Sequence, residues 1–323
     1  MVKYYLRCES LKKRYKTPKS TKDKEGEIPM NGLIIINKEE GLTSQATVSR
    51  VKRLLGVKKA GHTGTLDPMA TGVLPVLLER GVKASEFMLT SDKHYIATLL
   101  LGLTTDTEDI TGSPLTSCDT VPSEAEVMAA VESFVGEYYQ TPPMYSALKV
   151  GGKKLCDLAR EGVVIEREAR RVEIFSILAE RISEREYTLD VKCSKGTYIR
   201  TLCADIGARL GVGGVMKSLI RAEASGFTLK DAYTLSELEG MSEEERLRAV
   251  LPTERIFEKY RRVTLSDFFA RLARCGLEIY LHKIKETAEC GELIRLSDKD
   301  GFFALGEVRE FEDGLAIKPI RQF

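Results

Sequence analysis

Short β-branched runs and amphipathic helical stretches are mixed along this chain without regular alternation. That pattern fits an α+β domain better than a doubly wound parallel sheet and narrows the fold more than any other feature. Residues 32–36 form an apolar run bounded by Asn31 and Asn37, which predicts a buried strand. Thr43 or Ser44 can cap the helix that follows. Val48, Val51, Leu54 and Leu55 share one face of it, and Gly56 stands where it should stop. Further strands are predicted near 73–78, 95–101, 172–179 and 187–193, and helices near 123–134 and 198–210. These elements imply an α+β fold, a mainly antiparallel mixed sheet flanked by helices. With 323 residues, 43% of them hydrophobic, the chain can build two domains with a sizeable core. The composition turns acidic over 236–248, and the connection is placed around Pro252. This leaves a large domain over 29–250 and a small β-rich module over 252–323. In that module Asp298-Lys299-Asp300-Gly301 punctuates two apolar runs.

Charge and composition exclude more than they identify. Lys and Arg number 49 against 48 Asp and Glu, so any basic surface must come from local segregation. Residues 1–28 are one such segregation, with nine cations and four anions, and read as a flexible basic arm or a solvated tail. The seven cysteines include no C-x-x-C pair and are expected as reduced, mostly buried thiols. His62, His94 and His282 form no ligand cluster, so no metal is expected. No apolar run approaches the ~20 residues of a membrane span and no leader is evident. A cytoplasmic protein is expected.

The most informative stretch is Ala60-Gly61-His62-Thr63-Gly64-Thr65-Leu66-Asp67-Pro68. Glycines, threonines and a proline around one acid indicate an ordered irregular loop able to approach a ligand closely. Asp67 is the only carboxylate between Gly41 and Leu78, with Arg50, Lys52, Arg53, Lys58 and Lys59 nearby. An acid placed where a polyanion would dock weakens binding and so needs another reason, of which catalysis is one. The alternative is an Asp that merely braces its loop. A phosphate cradle of the NTPase kind is excluded by the lack of G-x-x-x-x-G-K-[ST].

This loop resembles the catalytic motif G-H-x-G-T-L-D-P of the TruB family of tRNA pseudouridine-55 synthases. The resemblance extends in order over residues 30–235. It includes the first strand with Lys38, Lys93-His94-Tyr95, Leu101-Gly102, and Thr105-Asp106-Thr107-Glu108-Asp109 with Gly112. It continues through Gln140 to Ala147 with Lys149, and Lys195-Gly196-Thr197-Tyr198-Ile199-Arg200. Glu39 departs from it, standing where the family usually has proline. The C-terminal module resembles a PUA-type RNA-binding fold more loosely. Guide-RNA-dependent relatives share the Asp loop but lack the extended segment near 144–171, an RNA-gripping insertion here, so the stand-alone bacterial type is favoured.

The resemblance implies an isomerase that turns a uridine of the tRNA TΨC stem-loop into pseudouridine. It breaks the N1–C1′ bond and rejoins the base through C5, as a monomer with neither cofactor nor metal. Asp67 would be the nucleophile, Arg200 the guanidinium that keeps it ionised, and Tyr95 the ring under the flipped base. His62 would hold the space that the base vacates, and Tyr198 and Leu219 would wall the pocket. Lys38 is left between a phosphate contact and loop support. The alternatives are a guide-dependent synthase and a tRNA-binding or tRNA-folding protein on the same fold.

Overall fold

The computed structural model describes residues 31–89 and 91–323, so the basic arm over 1–28 lies outside the described residues. Two compact units emerge. The larger comprises Ile34–Leu77 and Ser85–Ala249, and the other contains Leu78–Ala84 and Val250–Phe323 together with Leu33.

A mixed sheet is the frame of the larger unit. From one edge its strands run Gly136–Gln140, Arg170–Arg181, Glu186–Cys193, Lys93–Leu101, Gly214–Ala224, Thr71–Leu78 and Gly32–Lys38. The pairs from Gly136–Gln140 to Gly214–Ala224 are antiparallel, and Gly214–Ala224 lies parallel to Thr71–Leu78. Strands buried on both faces have near-continuous apolar sequences, and Thr71–Leu78 is buried throughout except at Thr71. In Lys93–Leu101 the alternate residues Tyr95, Ala97, Leu99 and Leu101 face inward.

Helices close the faces. Ser44–Leu54 begins at Thr43, whose hydroxyl accepts the amide of Ala46, and ends before Gly56 at φ +64°. It buries Thr47, Val48 and Val51. Ile199–Arg209 buries Ile199, Leu202, Cys203 and Ile206, the expected stripe. Glu124–Glu132 is opened by a capping box between Ser123 and Glu126.

The smaller unit carries a five-stranded sheet in the order Arg261–Thr264, Leu293–Asp298, Gly301–Phe311, Gly314–Gln322 and Ile279–Tyr280. Leu296, Phe303, Val308 and Ile317 pack with Ala270 and Ala273 of the helix Asp267–Arg274. Lys299 and Asp300 make the tight connection read from sequence, and Gly301 takes φ +112°. This unit also takes in Leu78–Ala84, which sequence patterning assigns to the large domain. The Asn31 side chain accepts the amide of Arg80, and Lys83 donates to the Gln322 carbonyl. A side chain at Gly81 would meet the Gly32 carbonyl at 2.3 Å, so the small residue permits a close backbone approach.

No disulfide joins the six described cysteines. The expectation of mostly buried thiols holds for Cys193 and Cys203, whereas Cys275 and Cys290 are exposed and Cys118 and Cys156 half-buried. Among the described residues no helix is long and apolar enough to cross a membrane, and no three His, Cys, Asp or Glu side chains cluster as metal ligands would.

Candidate active site

The loop between the strands Ala60–His62 and Thr71–Leu78 carries Asp67, and it is held from several sides. Ser44 is buried, and its hydroxyl both donates to the Leu66 carbonyl (2.9 Å) and accepts the Leu66 amide (2.8 Å). The Pro68 carbonyl accepts the Gly41 amide, and the Ala70 amide closes a turn onto the Asp67 carbonyl. Lys38 has no exposed surface. Its ammonium donates to the carbonyls of Ala70 (2.6 Å), Glu39 (2.8 Å) and Pro68 (3.2 Å). Burial lowers its pKa to about 8, against the attraction of Asp67. Of the two roles left open for Lys38, this geometry is that of loop support.

Arg200, at the start of Ile199–Arg209, meets Asp67 with two nitrogens. Its Nε lies 2.9 Å from Oδ2, and its Nη2 lies 3.5 Å from Oδ1. The remaining donors are used too. Nη2 donates to the Tyr145 carbonyl at 2.7 Å and Nη1 to that of Thr107 at 3.1 Å, with Asp109 Oδ2 3.8 Å away. Asp109 is itself buried and accepts from Thr107 Oγ1 and from the amide and hydroxyl of Thr111. A fork fixed this way holds the carboxylate in one orientation.

The helix that places Arg200 is anchored by Gln140. Its amide side chain accepts the Tyr198 N–H and donates to the Tyr198 carbonyl, and it is almost wholly buried. Thr201, next in the chain, donates to Glu108 at 2.6 Å.

Two effects compete at Asp67, since burial raises a carboxylate's pKa and a guanidinium fork lowers it. Burial raises the Asp67 pKa, Arg200 and Lys38 draw it back only in part, and Asp109 adds to the rise. The depth of the site, which the sequence does not reveal, decides the sign.

Asp67 and Arg200 open onto a cavity of about 330 Å³, at the small end of the ~300–1,000 Å³ usual for ligand clefts. Tyr95, Tyr198, Leu219 and Arg221 also line it. Tyr95 and Leu219 are each 8% exposed, so both offer one face to the cavity and pack with the other. Five of the seven residues singled out by sequence thus meet in one cavity. Lys38 lies beneath the loop. His62 ends the strand Ala60–His62 and does not line the cavity; burial and Arg221 lower its pKa, and its Nδ1 is buried without a hydrogen-bond partner.

Two residues of the site are not announced by the sequence. Asp109 stands within a motif, but nothing in its spacing shows that it faces Arg200. Arg221 follows Leu219 by two residues on one strand, so the period-2 pattern places both on the same side. A cation in that inward phase was the available signal.

Two family profiles match the chain. One, described as the N-terminal domain of TruB family pseudouridylate synthase, matches residues 52–199. The other, the tRNA pseudouridylate synthase B C-terminal domain, matches residues 200–258. The tRNA pseudouridine synthase B of Alkaliphilus oremlandii is 45% identical over 258 residues, which cover 80% of this chain and 86% of that protein. That of Clostridium tetani is 39% identical over 279 residues, 86% of this chain and 96% of its own length. Among solved structures, a chain of a Cbf5-Nop10-Gar1 complex is similar with a TM-score of 0.66 and 25% identity, covering 94% of this chain and 92% of that one. A chain of an H/ACA RNP bound to a substrate RNA gives the same TM-score at 24% identity, covering 91% and 86%. Motif order, the Asp67–Arg200 pair and these matches agree: the chain belongs to the TruB family of pseudouridylate synthases.

Proposed function

We propose that this chain is a stand-alone tRNA pseudouridine synthase. It acts as a cytoplasmic monomer and isomerises uridine 55 of the TΨC loop without guide RNA. The observation that carries this reading is the Arg200-anchored carboxylate of Asp67, set in a braced loop and opening onto a cavity that Tyr95 also lines.

A uridine in a folded stem-loop must be swung out before its sugar is reachable. Tyr95 offers it a ring face, and such stacking is worth ~1–3 kcal/mol per base. Tyr198 and Leu219 wall the base, and His62 fills part of the space it leaves. Ionised Asp67 attacks C1′ or removes a sugar proton to give a glycal, and the braced loop suits either route. The N1–C1′ bond breaks, the uracil turns, and a C5–C1′ bond forms. C5 gives up one proton and N1 gains one, so composition and oxidation state are unchanged and no cofactor is called for. Lys38 supports the loop and contacts no phosphate.

The solved neighbours raise a guide-dependent alternative. Against it stand the higher identity to relatives named for tRNA and the 144–171 segment. That segment exposes Lys149, Lys153, Lys154 and Arg170, cations able to follow a phosphate backbone. A transcript carrying tritium at C5 of its uridines tests the choice. The protein alone should release one equivalent per tRNA, and release only when guide RNA is added would overturn the stand-alone reading.

Because only ionised Asp67 reacts, the single-turnover rate should fall as pH is lowered through its folded-state pKa. Burial places that inflection above the ordinary 3.8. A rate that stays flat down to pH 4 would contradict this assignment of the titrating group.

A further inference from the structure

Arg221 is a fully buried cation on the strand Gly214–Ala224, with 1% of its surface exposed. Its Nε donates to the Val73 carbonyl at 2.8 Å and its Nη2 to the Gly64 carbonyl at 3.1 Å. It therefore ties the strand Thr71–Leu78 to the loop that carries Asp67. On its other side it is the direct cross-strand partner of Tyr95. Residues so opposed sit about 4.5–5.5 Å apart at Cβ, and both side chains line the same cavity. The glycines around it leave no slack. A side chain at Gly72 would strike the Arg221 carbonyl at 2.3 Å, and one at Gly64 would press on its Nη1 at 3.3 Å.

We propose that Arg221 is a positioning residue: bonded to the backbone of the Asp67 loop and set directly across from Tyr95, it fixes the two reacting groups relative to each other. It also places a cation beside the Tyr95 oxygen while that oxygen takes the C5 proton. This rests on the proposed function and adds a role for Tyr95 to it, that of the base that takes the C5 proton. In that step the C5–H bond breaks and its electrons restore the ring double bond. The proton passes to the Tyr95 phenolate, N1 takes a proton from water, and the hydroxide so formed takes the phenol proton, which restores the phenolate and the water. Burial raises the pKa of the Tyr95 hydroxyl and Arg221 opposes the rise, so without the cation the phenolate form would be scarcer.

The test is a double-variant cycle on the full chain. It uses Arg221→Met, Arg221→Lys and Tyr95→Phe, with single-turnover rates on tRNA bearing protium or deuterium at C5 of the target uridine. Tyr95→Phe should slow turnover by about 10²-fold, the lower range for a positioned acid–base group. Arg221→Met should slow it comparably and bring out a primary isotope effect, and the two changes together should cost little more than either alone. Arg221→Lys should recover part of the rate. If Arg221→Met does not fold, Arg221→Lys, combined with Tyr95→Phe, serves for the same cycle. Additive losses without an isotope effect would overturn the proposal and leave Arg221 a purely structural tie. A Tyr95→Phe rate equal to the parent's would instead overturn the underlying reading of Tyr95.

Discussion

Asp67→Asn should end isomerisation while leaving tRNA affinity within a few-fold of the parent. The amide keeps the size of the carboxylate, and Ser44, Gly41 and Lys38 hold the loop through its backbone, so the substitution leaves the cavity standing. What it removes is the charge that, in the proposed mechanism, attacks the sugar or takes its proton. Loss of a nucleophile that works as part of a fixed unit typically costs more than about 10⁴-fold in rate. Turnover above a tenth of the parent rate, measured at saturating tRNA, would exclude Asp67 as the reacting group.

Arg200→Met should damage both stability and catalysis. The thioether fills part of the volume but leaves the carbonyls of Tyr145 and Thr107 without their donors, and it leaves Asp67 facing Asp109 with no cation between them. Breaking a buried pair from one side typically costs ~3–5 kcal/mol. The lower end is expected here, because a third of the Asp67 side chain is open to the cavity and solvent can screen it. With the guanidinium gone, nothing but Lys38 opposes burial and Asp109, so the Asp67 pKa should rise further. The acid limb of the pH–rate profile should therefore move to higher pH, with the rate at neutral pH reduced. Denaturant unfolding and the pH profile read the two effects separately. A stable variant with an unshifted acid limb would show that Arg200 neither braces nor tunes the carboxylate.

Much of this molecule is legible in its sequence, for identifiable reasons. The helix Ser44–Leu54 and the strand Lys93–Leu101 announce themselves because apolar side chains recur at 3.6 and at 2. Asp67 stands out as the lone acid in a cationic stretch. Arg200 is different. It lies 133 residues from Asp67, and only the order of motifs, never their spacing, connects the two. Lys38 could be read two ways because a lysine after a strand reaches solvent or backbone equally well. Its burial under Ala70 and Pro68 exists only in three dimensions. The direction of the Asp67 pKa is open in the sequence for the same reason, since a sequence names the cation beside a carboxylate but not the water excluded from it. Leu78–Ala84 joined the smaller unit through backbone and carbonyl contacts, which leave no mark on hydrophobic patterning.

The central claim is that the Asp67 site converts one uridine of tRNA without help from another RNA. It is tested most directly by incubating an unmodified tRNA transcript with this protein alone and mapping pseudouridine at nucleotide resolution. The expected result is a single pseudouridine at position 55 with the parent chain, none with Asp67→Asn, and none when that uridine is replaced by cytidine. Modification elsewhere in the tRNA, or no modification until a guide RNA is supplied, would contradict the account.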